Sequence, residues 1–194
     1  MSVYLILGLL LFLGVHSLRI FAGDWRDAQV ARMGLLRWKG VYSLFSAVGL
    51  GLIIWGYGMT RGDPVVLWTP PLWTRHLAAL LTLPAFILLV AAYLPGSHIK
   101  AKIGHPMVAG VKLWALAHLL ANGNLADVIL FGAFLVWAVA GFATSRRRDR
   151  IAGRTYPVGC WTRDASVAAI GLLAWALFSL WGHAWLIGVA PFGA

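Results

Sequence analysis

Five runs of apolar residues, each near the length of a bilayer crossing, decide what this chain can fold into. A transmembrane helix needs about 20 mostly apolar residues. Residues 3–22, 41–59, 77–94, 125–143 and 165–187 meet that requirement. A sixth stretch, 105–122, is shorter and carries Lys112 and His118, yet still reads as a span. No strand alternation of useful length and no repeat of fixed period interrupts them. The expected fold is all-α: a polytopic membrane protein, a bundle of about six transmembrane helices forming a single domain over residues 1–194, with no room for a soluble domain.

Composition agrees with lipid as the solvent. Of the 194 residues, 61% are hydrophobic and 11% charged, against about a quarter charged in soluble domains. Sixteen Lys and Arg face six Asp and no Glu, for a net charge of +10. Those cations gather in short loops between the apolar runs. That placement suits anionic headgroups and topology control, so no nucleic-acid partner is expected. The lone Cys160 excludes an intrachain disulfide, and no CxxCH is present to tether a haem.

Loop charges give an orientation. Segments 19–39, 95–106 and 144–164 hold five, two and six Lys/Arg, whereas 60–76 and 122–125 hold two and none. The positive-inside rule then puts both termini on the outer, periplasmic face. Residues 3–22 lack a basic start, and Arg19 and Arg26 fall at or after their end, which reads as an uncleaved first helix. Trp68 and Trp73 are expected at the outer interface, Trp38 and Trp161 at the inner one. For packing, Ala47 and Gly51 form a small-xxx-small pair, Gly56 and Gly58 allow close approach, and Pro84 should kink the third span.

Polar residues inside lipid are expensive and so mark function. Of the six histidines, His98 reads as a solvated loop residue, while His76 and His183 lie near outer helix ends. His16 and His118 each lie about 13 residues inside their helices, roughly 20 Å from the end where the helix enters. A single buried histidine is most simply a hydrogen-bonded core residue. Two on different helices point instead to a shared ligand, because neutral imidazole binds metals and is a usual axial ligand of haem iron. With no cysteine or carboxylate at matching depth for a zinc or di-iron site, haem is the group two histidines can hold. The expected ligands are His16 and His118, with His76 or His183 as alternative partners of His118 near the outer face. Antiparallel helix directions put the His16 and His118 levels about 10 Å apart in depth.

Arg19 and Trp114 share the helix faces of His16 and His118. Arg19 is placed to hold a haem propionate or, as an inner anchor, to snorkel to the headgroups. His105 lies about 220° around the helix from His118 and cannot serve the same site. His105-Pro106 reads as a helix start, with its imidazole at the inner interface for hydrogen bonding or a substrate headgroup.

The stretch GHPMVAGVKLWALAHLLANGN (104–124), with HSLR at 16–19 and FLVWAVAGFATSRRRDR at 134–150, closely resembles the NnrU family of bacterial membrane proteins over nearly the whole chain. That resemblance implies a bacterial inner-membrane location and a link to denitrification and nitric oxide metabolism. The family is in turn similar to 15-cis-ζ-carotene isomerase, a membrane enzyme that uses haem b. Its ligand motifs carry over onto His16 and His118. The isomerase has a further histidine where this chain has the neighbourhood of Tyr57, and a histidine pair where this chain has Trp137 and apolar neighbours. Membrane methyltransferases with an arginine before the His-Pro pair and a later glutamate are a more distant likeness. This chain has Gly104 at the first position and no glutamate. Cys160, an analogue of a switchable thiolate ligand, falls in the inner loop and reads as a structural or incidental thiol.

Three functions follow as expectations. The first is a haem b protein in redox or nitric oxide chemistry. The second is a haem-dependent isomerase of a carotenoid-like polyene lipid. The third is a non-catalytic membrane partner of a denitrification enzyme.

Overall fold

A computed structural model describes residues 2–192; Met1, Gly193 and Ala194 of the expected domain lie outside the described residues. The chain forms α1 (Val3–Phe21), α2 (Gly23–Met33), α3 (Leu35–Thr60), α4 (Trp73–Tyr93), α5 (His98–Ile103), α6 (Pro106–Ala121), α7 (Leu125–Ile151) and α8 (Trp161–Leu177), with no strand among the described residues. A π-helical turn, Phe178–Gly182, joins α8 to the short α9, His183–Ile187.

Helices α1, α3, α4 and α7, and the continuous run from Trp161 to Ile187, are long and apolar enough to cross a membrane; α6, with 16 residues, is the shorter apolar helix. Within an apolar 18-residue stretch of each long span only 11–28% of residues are buried inside the bundle. Leu10, Leu36, Leu80 and Val136 point outward at 67%, 84%, 68% and 71% exposure. A surface of that kind is stable only against lipid, so the protein is a multi-pass membrane bundle.

In space the helices form a row in the order α3, α1, α7, α6, α4, α8. Its α3–α1–α7 half is held by a core cluster of Leu5, Leu9, Ile53, Leu130 and Phe131. Between α1 and α3 the contact is made by Gly8, Gly49 and Gly56. The stripe expected from Ala47 and Gly51 is corrected: Ala47 is exposed, and Gly51 and Gly58 face open space. Both stripes are small and apolar, and only the one seven residues apart, Gly49 and Gly56, faces α1. Gly110 and Gly171 similarly bring α6 and α8 against α4. α4 continues through Pro84.

The helices overrun the apolar segments. α3 and α7 have 26 and 27 residues, about 40 Å each, because their charged ends continue the helix beyond the hydrocarbon. The loop expected over 19–39 contains α2, set off by Gly34 at φ 86°. Trp25 of α2 stands edge-on to Trp38 at 6.0 Å, so Trp38 is buried rather than an open belt residue. At the opposite end of the bundle the 60–72 loop lies across the α6–α7 turn. Leu67 and Trp68 donate backbone N–H bonds to the Gly123 carbonyl, and Leu125 donates to that of Val65.

Candidate functional site

The six histidines sort by what their rings touch. In the first class Nδ1 meets a backbone carbonyl: His16 with Phe12 at 2.7 Å, His118 with Trp114 at 2.8 Å, and His183 with Val189 at 2.7 Å. A carbonyl oxygen only accepts, so Nδ1 carries the proton and the neutral ring keeps its lone pair on Nε2. In that tautomer Nε2 can bind a metal while the other nitrogen is oriented by a backbone acceptor. For His16 and His118 the acceptor is supplied by the helix itself, four residues back.

The second class is paired with aspartate where charged segments flank the bundle. His98 Nδ1 lies 2.6 Å from Asp164 Oδ2, so His98, though part-exposed as its sequence suggests, is also tied to a carboxylate. His105 Nε2 lies 2.8 Å from Asp149 Oδ2, and the Tyr156 hydroxyl donates to the same oxygen at 2.6 Å. Burial and the Asp149 carboxylate push the Tyr156 phenol up. His105 begins α6 with Pro106 in its first turn and faces Phe142, well away from His118. His76 is exposed in the first turn of α4.

Helix α7 carries the wall between His16 and His118. Phe131 stacks on His118 at 4.6 Å, Phe134 touches both Trp114 (5.5 Å) and Phe12 (5.8 Å), and Trp137 stands edge-on to His16 at 6.0 Å. Phe12 stacks on His16 at 4.2 Å and Trp114 tilts against His118 at 5.2 Å. The two histidines are therefore linked through the rings of Phe12, Phe134 and Trp114. Their contact points on α7, Trp137 and Phe131, are six residues and about 9 Å apart along the axis. The indole Nε1 of Trp137 is buried with no hydrogen-bond partner among the described residues. Arg19 is exposed at the end of α1; its carbonyl accepts from Arg148 Nη1 at 2.5 Å.

His118 has one further ring neighbour. His183 lies 6.5 Å away, centroid to centroid, with the planes inclined by 21°. Close by, the Tyr57 hydroxyl donates to Asp127 Oδ1 at 2.5 Å, and Asp127 is 1% exposed. In sequence Asp127 passes for a helix-start residue, and it does close a capping box with Asn124. Its bond to Tyr57, 70 residues away, carries no sequence signal.

Among the described residues no group of three or more His, Cys, Asp or Glu side chains could hold a bare metal ion. Imidazoles with Nε2 lone pairs do fit an iron that brings its own equatorial nitrogens, and the orphaned Trp137 N–H leaves a donor in the wall beside His16. The fold and these side chains define a class: polytopic α-helical membrane proteins with a histidine-bearing, aromatic-lined interior. A sequence model described as NnrU protein matches residues 4–191, nearly the whole chain, and the protein belongs to the NnrU family. No curated protein and no solved structure matches it significantly.

Proposed function

We propose that this NnrU-family membrane protein binds haem b through two histidines of the bundle, His118 being one, and acts in nitric oxide or redox chemistry. The observation that supports this reading is the shared state of His16, His118 and His183. Each has Nδ1 donating to a carbonyl and Nε2 left with its lone pair. The bound group would supply an iron centre that exchanges electrons or takes a diatomic ligand. His118 would hold the iron from α6, with Trp114 and Phe131 packed on its ring to fix its angle. With His16 as the partner, Arg19, three residues later, would be a charge-assisted donor for a propionate.

Protein purified in detergent from haem-replete cells is expected to show a low-spin, six-coordinate ferric spectrum and a shift of the ferrous spectrum with nitric oxide. A wild type that stays colourless after haem is supplied would overturn the reading and leave the role of a membrane partner to other proteins. Haem without a nitric oxide response would restrict it to electron transfer or to isomerisation of a bound polyene, which isomer ratios of extracted lipid would reveal.

The same reading places the chain in a bacterial inner membrane with both termini in the periplasm, thirteen loop Lys/Arg inside against two outside. Cys160 provides the test, being exposed and unique. The Thr162 hydroxyl, 2.8 Å from its sulfur, holds the thiol below its usual range and favours the reactive thiolate. An impermeant maleimide is expected to label it in inverted membrane vesicles and not in right-side-out ones. The opposite pattern would put the termini inside.

A further inference from the structure

Three histidines compete as partner of His118, and they stand in very different places. His16 is reached from His118 through three intervening aromatic rings, and His76 is exposed at the start of α4. His183 alone among them has its ring next to that of His118, 6.5 Å between centroids and 21° between planes. Two imidazoles on opposite sides of one metal need about 6 Å between ring centres, from metal–nitrogen bonds of about 2 Å plus half a ring on each side. We propose that His183, rather than His16, is the second iron ligand opposite His118, an assignment that rests on the haem-binding reading above.

Local structure explains how a residue so near the end of α8 comes to face α6. The π-helical turn Phe178–Gly182 fits one extra residue into the helix directly before His183. One extra residue rotates everything after it by about 100° relative to a continuous α-helix, and such turns recur at functional sites. Phe178 stands edge-on to the His183 ring at 5.7 Å, and the Val189 carbonyl fixes Nδ1 from the other side. The two rings differ in how firmly they are held. His118 sits in α6 against Trp114 and Phe131, close to the core cluster. His183 belongs to a five-residue helix with Trp185 and Leu186 exposed at 86% and 64%, tied back by Arg61 Nη1 donating to the Ile187 carbonyl. On that assignment His183 would be the more loosely held ligand and His118 the more firmly held one.

Spectra of haem-loaded variants test this. His183→Ala is expected to keep haem but turn fully from low-spin to high-spin ferric iron, with added imidazole restoring the low-spin form. His16→Ala is expected to stay low-spin. Arg61→Ala, which touches neither ring, is expected to raise the high-spin share at room temperature, and it serves if His183→Ala does not purify. A low-spin His183→Ala protein alongside a high-spin His16→Ala protein would overturn the assignment and keep the haem reading. Unchanged low-spin spectra in both His183→Ala and Arg61→Ala would overturn it as well. A colourless wild type would remove both.

Discussion

Replacing Gly56 with leucine is expected to separate α1 from α3 and to lower the thermal midpoint of the purified protein more than any surface change. A Cβ at residue 56 would stand 2.2 Å from the Leu5 nitrogen and 2.7 Å from the Tyr4 carbonyl carbon. Both are backbone atoms that cannot rotate aside. The same seam repeats at Gly8, whose Cβ would meet Ile53 nitrogen at 2.6 Å, and at Gly49, which would meet Phe12 nitrogen at 2.8 Å. Helices in lipid are held by close packing rather than by burial from water, so lost contact at this seam has no hydrophobic compensation. Even alanine, which gains about 1 kcal/mol of helix propensity over glycine, meets an overpacking cost of about 1–3 kcal/mol or more. Leucine exceeds that. At about 2–4 °C per kcal/mol for a chain of this size, Gly56→Leu should melt well below wild type. Gly51→Ala, on the open side of the same helix, should melt at or slightly above it. Equal midpoints for Gly56→Leu and wild type in a detergent melt monitored by circular dichroism would refute the packing account.

That seam also shows why some of the fold was legible and some was not. Hydropathy marks where lipid touches a helix, so the spans were readable to within a few residues at their apolar ends. It is silent on charged helical extensions, which is how α2 and the distal turns of α3 and α7 read as loop. Facing is harder in lipid than in water, because both sides of a span are apolar and periodicity fades. Gly49/Gly56 and Ala47/Gly51 are equally plausible stripes until α1 is placed. The separation of His105 from the His118 face was readable from helical phase alone. The ties of His98 to Asp164 and of Tyr57 to Asp127 join positions 66 and 70 residues apart, beyond any local pattern. Depth near the outer face made His183 an alternative partner of His118, but its selection was hidden for a different reason: it depends on a π-helical turn, and a 3.6-residue period assumed throughout α8 carries His183 to another face.

His118→Ala is expected to abolish haem retention under the proposed reading, because His118 is the ligand shared by its pairings with His16, His76 and His183. Covalent attachment cannot compensate, since the chain has no CxxCH. The substitution removes the ligand and also empties the space between Trp114, Phe131 and His183, whose ring centres lie 5.2, 4.6 and 6.5 Å from that of His118. Part of any loss could thus come from a collapsed wall. His118→Gly with added imidazole separates the two effects, because an exogenous ring restores the donor without restoring the tether to α6. The haem-to-protein ratio, measured as pyridine haemochrome, is expected to fall at least about tenfold in His118→Ala, equivalent to roughly 1.4 kcal/mol or more of binding, and to recover in part for His118→Gly with imidazole. His105→Ala should keep the wild-type ratio, since that ring is engaged with Asp149 and faces Phe142. Full retention of haem by His118→Ala, with an unchanged low-spin spectrum, would mean that the iron is held elsewhere and that the Trp114 carbonyl orients His118 for packing alone.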